Sequence, residues 1–202
     1  MGLDQRHPLL LGSASPRRRE LLEQLGLRFS QRPSHVEEAD PSGEPPEAYC
    51  RALAELKTAA VVKRAQSEGE SGFVLGADTI VVVDGAVLNK PHDDADALRM
   101  LRLLQGGRHD VITGVCLRGV HEPAGRTIAV RTTVGFRALD DRSLSAYVAS
   151  GEGRDKAGSY AIQGLGAGVV RTLEGSYTNV VGLPLAETID LLLQAGVLGA
   201  FP

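Results

Sequence analysis

The run Phe73-Val74-Leu75-Gly76-Ala77-Asp78-Thr79-Ile80-Val81-Val82-Val83 limits the fold more than any other segment. Val and Ile are stiff at χ1 and pack well on a pleated surface, so the run predicts a strand. Asp84-Gly85 follows, a pair suited to the positive φ angles of a two-residue hairpin turn. Ala86-Val87-Leu88 then returns as the partner strand and stops before Pro91. A hairpin inside a chain that also carries helical patterns excludes a purely parallel sheet. The expectation is an α/β fold with a mixed sheet flanked by helices.

The rest of the chain supplies those helices and further strands. Leu9-Leu10-Leu11, the turn Ser13-Ala14-Ser15, and the pattern from Pro16 to Leu25 read as strand, turn and helix, ending at Gly26. Ser15 suits the N-cap, and Pro16 has φ already set for the first helical position. Residues 30 to 46 read as a loop. Pro46 opens a helix with Tyr49, Leu53, Leu56 and Ala60 on one face, ending near Ser67-Glu68-Gly69. Asp93 or Asp94 caps a helix through Leu104, and Asp140 or Asp141 one through Ala149; a last helix runs from Leu185 to Ala195. Val111–Leu117, Thr127–Phe136, Val169–Leu173 and Val180-Val181 read as strands. Composition does not break anywhere along the 202 residues, so a single domain is expected.

Composition also narrows function. A formal net charge of −3 gives no global basic field, and 4% aromatic residues with no Trp make a base-stacking platform a poor fit, so no nucleic-acid partner is expected. No apolar run approaches the roughly 20 residues needed to span a bilayer. No signal peptide is read at the N-terminus, and Cys50 and Cys116 form no C-x-x-C pattern. Two reduced thiols in a cytoplasmic protein is the expectation, with a disulfide as the alternative.

Three segments carry the chemistry. In the first, Arg17 and Arg18 fall in the first helical turn, where the dipole favours anions over cations. With the serine hydroxyls they describe an anion site, phosphate above all, unless the turn is simply solvated. In the second, Asp78 interrupts a Val/Ile strand, where a carboxylate is disfavoured, and Gly76 and Ala77 beside it leave room for a ligand. It reads as a general base or a ligand of a hard cation. Lys90 follows the hairpin, and Lys57 borders the apolar face of its helix, where it either snorkels or reaches a site. The third is the glycine-rich run from Asp155 to Gly168, which approaches something closely; within it Gln163 offers both a donor and an acceptor to the edge of a base. The five histidines show no zinc-ligand spacing, and His109 reads as structural. A phosphate anchor, a carboxylate, two lysines and a base reader fit hydrolysis of a nucleotide phosphoanhydride with Mg²⁺ on oxygen ligands.

These blocks, in this order, resemble the Maf family of nucleoside triphosphate pyrophosphatases. The matching blocks are Ser13-Ala14-Ser15-Pro16-Arg17-Arg18, Gly76-Ala77-Asp78-Thr79, Lys90-Pro91, Asp155-Lys156-Ala157-Gly158 with Tyr160-Ala161-Ile162-Gln163-Gly164, and Gly175-Ser176-Tyr177 through Val181-Gly182-Leu183-Pro184. The resemblance implies a Maf/ITPase-like fold, a long twisted mixed sheet with two lobes around a deep cleft. It implies conversion of a nucleoside triphosphate to the monophosphate and pyrophosphate with a divalent cation (Mg²⁺, Mn²⁺ or Co²⁺). Asp78 matches the family's proton acceptor, Ser13, Arg17 and Arg18 its phosphate loop, and Lys57 and Lys90 its two site lysines. Glu37 matches an acidic position near the metal, with Glu38 beside it left open. Arg18, Thr79 and Gln163 match the selectivity positions of the branch similar to dTTP/UTP pyrophosphatases. The alternatives are a 7-methyl-GTP or other purine triphosphate enzyme, and a nucleotide-binding regulator of septum formation. A homodimer is compatible with the reading, and Arg19 has no family counterpart.

Overall fold

The computed structural model describes residues 3–37, 41 and 43–201. Its elements are β1 (Leu9–Leu11), α1 (Pro16–Gln24), β2 (Ser30–Gln31), α2 (Pro46–Ser67), β3 (Phe73–Val83), β4 (Ala86–Leu88), α3 (Asp94–Leu104) and β5 (Arg108–Gly119). There follow β6 (Arg126–Phe136), α4 (Asp141–Ala149), two 3-10 turns (Ala157–Ser159 and Gly164–Gly168), β7 (Val170–Glu174), α5 (Tyr177–Val181) and α6 (Leu185–Gln194). The strands form a seven-stranded sheet in the order β2-β1-β3-β5-β6-β7, with β4 paired to β3 off that path. β1 runs parallel to both β2 and β3, whereas β3–β4 and β6–β7 are antiparallel, so the sheet is mixed as expected. Asp84 and Gly85 both take positive φ (49° and 79°), the backbone that a tight two-residue hairpin demands.

The chain divides into two compact units. One comprises Met1–Asp78, Thr113–Val130 and Gly182–Pro202; the other comprises Thr79–Ile112 and Arg131–Val181. The boundaries fall inside β3, β5 and β6, so each of these strands continues from one unit into the other. In the first unit Leu10 and Val74 pack with Val61, Val62 and Ala65 of α2 and with Val120. In the second, Val81, Met100, Leu104, Val134, Phe136 and Leu144 belong to one buried cluster that α3 and α4 help to close. Among the described residues no helix is long and apolar enough to cross a membrane. Cys50 and Cys116 are buried thiols, not joined in a disulfide.

Four local expectations are corrected. Val180-Val181 is not a strand but the end of α5: the Ser176 hydroxyl accepts from the Asn179 N–H at 3.2 Å and starts a helical turn. Ser30–Gln31, expected as loop, forms β2 because β1 offers it a parallel edge. β5 begins at Arg108, three residues before Val111, because its polar start is paired: Asp110 accepts from Thr133 at 2.7 Å and from Arg131. The buried stripe of α2 is Tyr49, Cys50, Leu53, Ala54, Thr58, Val61, Val62 and Ala65, so Tyr49 and Leu53 lie inward as expected, while Leu56 is 47% exposed. Two residues of modest apolarity, Cys50 and Thr58, hold the positions that Leu56 was expected to share.

Candidate active site

In the first unit the turn after β1 is built as its sequence dictates. Ser15 caps α1, its hydroxyl facing the Arg18 N–H at 3.5 Å, and Pro16 opens the helix. Ser13, buried, accepts at Oγ from the Ser15 N–H and from Arg18 Nη1, each at 3.2 Å. Both bonds are accepted ones, so the hydroxyl proton of Ser13 is left to donate. Arg18 itself is buried. Its Nε donates to Gly182 O at 2.7 Å, and its Nη1 to Ala77 O at 2.7 Å as well as to Ser13. The guanidinium thus straps the serine turn, β3 and the start of the Gly182 segment together. Arg17, half-buried, is the neighbouring cation on the same turn.

Asp78 lies in β3, 6% exposed, where an unpaired carboxylate would be costly. Lys57 of α2 supplies the partner: Nζ to Oδ1 is 2.5 Å, with the two side chains 12% and 8% exposed. Among the described residues Oδ1 is the oxygen that accepts, leaving Oδ2 open. The pair depends on how closely α2 approaches the sheet. A Cβ on Gly76 would fall 2.1 Å from Thr58 Oγ1, and one on Gly114 would fall 2.4 Å from Cys50 O. The two glycines admit the helix backbone, and the strand's alternation puts Asp78 on the same face as Gly76. The sequence reading gave the space beside Gly76 to a ligand; α2 fills it instead.

Cys50 was not singled out from sequence, yet it sits directly beneath this pair. Its thiol donates to Asp78 O at 3.4 Å and accepts from the Gly114 N–H at 3.0 Å. Burial, reinforced by the Asp78 charge, pushes the thiol up to about 12, against the opposing pull of the Gly114 N–H, Arg18 and Lys57. The signal for it was present: Cys50 precedes Leu53 by three, and Lys57 by seven, along the buried side of one helix.

In the second unit, Thr79 follows Asp78 along β3 and is half-buried. Lys90, just past β4, is exposed. The residue before it, Asn89, accepts at its carbonyl from the Gly158 N–H at 3.2 Å, which ties that segment to the glycine-dense stretch. Gly158 takes φ +67°, and a Cβ there would crowd Val81 at 3.0 Å. Gln163 is exposed between the two 3-10 turns, and among the described residues its amide makes no hydrogen bond. His109 is structural, as expected: its Nε2 meets the Tyr160 hydroxyl at 2.8 Å, its ring lies edge-on to Phe136 and Tyr160, and burial lowers the imidazole to about 4.

The oxygen of a buried carboxylate suits a hard cation. Among the described residues no three His, Cys, Asp or Glu side chains cluster, which disfavours zinc. Mg²⁺ by contrast needs only one or two carboxylates beside substrate phosphates, and Asp78 offers an oxygen without a protein donor. Glu37 is exposed in irregular backbone, and Glu38 lies outside the described residues.

Comparison with known proteins bears on the chain as a whole. The family described as "Maf-like protein" matches residues 8–195. A protein of Geobacter sp. (strain M21), described as "dTTP/UTP pyrophosphatase", is 48% identical over 95% of this chain and 97% of its own. Proteins of the same description from Anaeromyxobacter sp. (strain Fw109-5) and Myxococcus xanthus (strain DK1622) are 50% and 49% identical; they cover 93% and 94% of this chain and 89% and 93% of their own. A solved "Nucleoside-triphosphatase / dITP/XTP pyrophosphatase" from Mycobacterium abscessus is similar at 14% identity and TM-score 0.41 over 94% of each chain.

Proposed function

The chain belongs to the Maf family, and on that premise we propose that it hydrolyses dTTP and UTP to the nucleoside monophosphate and pyrophosphate. The observation that carries the chemistry is the buried Asp78 carboxylate paired at one oxygen to Lys57. The substrate class is supported by the relatives' descriptions and by Arg18, Thr79 and Gln163, which match the pyrimidine branch at all three selectivity positions.

In this reading a water attacks the triphosphate at the α–β anhydride. A new P–O bond forms, the anhydride P–O bond breaks, and pyrophosphate leaves. Asp78 accepts the water's proton at Oδ2, because Oδ1 is committed to Lys57. Lys57 fixes the carboxylate's orientation and adds positive charge beside it. Ser13 and Arg17 hold phosphate oxygens, Ser13 through the hydroxyl proton that its own neighbours leave unused. Arg18 serves selectivity by holding Ala77 and Gly182 in place. Lys90 is assigned to the phosphates, and Thr79 and Gln163 to the base. Gln163 suits a pyrimidine with an N3–H donor beside carbonyl acceptors, since its amide presents the complementary pair. Glu37 would hold Mg²⁺, Mn²⁺ or Co²⁺, with Asp78 Oδ2 as the alternative ligand in place of its role as base, and the cation would offset the negative charge of the triphosphate. The two units together form one Maf domain in this reading, and the protein is cytoplasmic. It acts on a nucleotide, with no nucleic-acid or membrane partner, and a homodimer is compatible with it.

The test is a nucleotide panel with each cation, separating pyrophosphate from orthophosphate release. Pyrophosphate from dTTP and UTP is expected; orthophosphate as the first product would overturn the α–β cleavage. Asp78→Asn should lower turnover by about 10²- to 10⁴-fold while dTTP binding survives. Near-parental turnover in that variant would remove Asp78 from the base role. A parent that binds dTTP without hydrolysing it would be a binding regulator instead.

A further inference from the structure

The segment that presents Gln163 is gripped on both sides by one carboxylate and one hydroxyl. Glu152, just past α4, accepts from the Leu165 N–H at Oε1 and from the Gly166 N–H at Oε2, each at 2.8 Å. Its Oε2 also accepts from the Tyr147 hydroxyl at 2.7 Å, and that hydroxyl accepts in turn from the Ala161 N–H at 3.1 Å. The backbone is therefore fixed two residues before Gln163 and again two and three residues after it. Two glycines make the grip possible. A Cβ on Gly164 would lie 2.1 Å from Glu152 Oε1, and one on Gly166 would lie 2.0 Å from Ala161 O and 2.8 Å from the Tyr147 hydroxyl. The sequence reading had this stretch approaching something closely, and what it approaches is the chain's own carboxylate.

The grip is strong because the acceptor is charged. Burial pushes the Glu152 carboxyl up, but the bonds from Tyr147, Leu165 and Gly166, with the Lys156 charge, outweigh it and hold the group below the usual carboxylate range. Tyr160 anchors the near end of the segment, wedged edge-on to Phe136 at 4.6 Å and bonded to His109. Gln163, by contrast, contributes nothing to this network: its side chain is exposed, and among the described residues it makes no bond. A loop held this tightly around a side chain that the fold does not use calls for a reason outside the fold. Reading a base by a single amide supplies one, because donor and acceptor must be held to within about 0.5 Å and 10–20° of the productive geometry.

We infer that Glu152 and Tyr147 are positioning residues that aim the Gln163 amide at the pyrimidine edge, an inference that rests on the proposed role of Gln163 as base reader. They touch no substrate and act through the backbone at Ala161, Leu165 and Gly166. Tyr147→Phe keeps the ring but deletes the bonds to Ala161 and Glu152. Glu152→Gln turns one accepting oxygen into an amide N–H that faces another N–H.

The experiment measures kcat/KM and Kd for dTTP, UTP and GTP in the parent, Tyr147→Phe, Glu152→Gln, Gln163→Ala and the Tyr147→Phe/Gln163→Ala double variant, with thermal unfolding alongside. Tyr147→Phe and Glu152→Gln are expected to lose about 10-fold or more in preference for dTTP and UTP over GTP, through KM rather than kcat. The double variant should be no less selective than Gln163→Ala alone, since the grip has nothing left to aim. If both single variants lower the unfolding midpoint but keep the parental preference, the network is merely structural and the inference is overturned. If Gln163→Ala itself keeps the parental preference, the premise of base reading fails instead. Should Glu152→Gln not fold, Tyr147→Phe, which conserves shape, decides the matter by the same ratio.

Discussion

Gly76→Ala tests how α2 is seated against β3. The added Cβ would stand 2.1 Å from Thr58 Oγ1 and 3.1 Å from both Ala54 O and Thr58 N. Thr58 cannot swing away freely: it is 0% exposed, and its hydroxyl donates to Ala54 O at 2.8 Å. Either the helix retreats by about 1 Å, at the cost of about 1–3 kcal/mol that overpacking a core exacts, or the hydroxyl rotates and forfeits about 1 kcal/mol of hydrogen bonding. The expected loss is about 1–3 kcal/mol, or about 2–12 °C in unfolding midpoint for a chain of this length. Thr58→Ala removes the 2.1 Å contact and leaves the two at 3.1 Å, so the Thr58→Ala/Gly76→Ala double variant should lose less than the sum of its singles. Thermal unfolding of the three variants by circular dichroism reads both effects. A Gly76→Ala midpoint within about 1 °C of the parent, or strictly additive losses, would refute the seating of α2 on this glycine.

Two further outcomes follow from the buried titratable groups. His109 is 3% exposed and lowered to about 4 from an ordinary 6.5. As pH falls, the unfolded chain therefore takes up a proton near 6.5 while the folded chain does not until about 4, so the stability from this site is whole above pH 6.5 and is lost between 6.5 and 4. Urea unfolding should show the parent losing about 2–3 kcal/mol more than His109→Gln between about pH 7.5 and pH 4.5; equal losses would refute the assignment. Cys50, pushed up to about 12 and fully buried, should resist a thiol reagent near pH 8 in the native protein and react only on unfolding. Rapid labelling of Cys50 in the folded state would overturn that environment.

What could be read from sequence was set by how local its signal is. The β3–β4 hairpin, the Ser15 cap with Pro16, the Pro46 start of α2 and the Asp93 and Asp140 caps all rest on a few neighbouring residues, and all stand where they were expected. β2 could not be read, because two polar residues become a strand only when the edge of β1 is beside them. α5 was missed because its β-branched pair Val180-Val181 outweighs a capping serine in any propensity argument, while Asn179 is held by distant groups, Val111 O at 3.1 Å and Thr132 Oγ1 at 3.0 Å. Leu56 was assigned to the core because helical spacing alone cannot fix the centre of a stripe whose members include Cys50 and Thr58.

The site residues divide along the same line. Asp78 was legible because a carboxylate inside a Val/Ile strand is anomalous wherever it is found, and the structure gives it the cationic partner that such a position demands. The glycines were legible as close approaches but not as to what approaches. Gly76 admits Thr58, Gly164 admits Glu152 and Gly166 admits Ala161. Each lets one part of the chain's own backbone or side chains come within reach of another, and each lies one to three residues from a residue proposed to act on the substrate or from the groups that hold such a residue. The spacing has a physical basis. A functional side chain must be fixed without spending its own polar atoms, so its neighbours carry the hydrogen bonds, and those neighbours pack closely enough to do so only where a Cβ is missing. Arg18 is the converse case: it spends its guanidinium on Gly182, Ala77 and Ser13, and so holds the turn from which Arg17 and Ser13 can meet an anion.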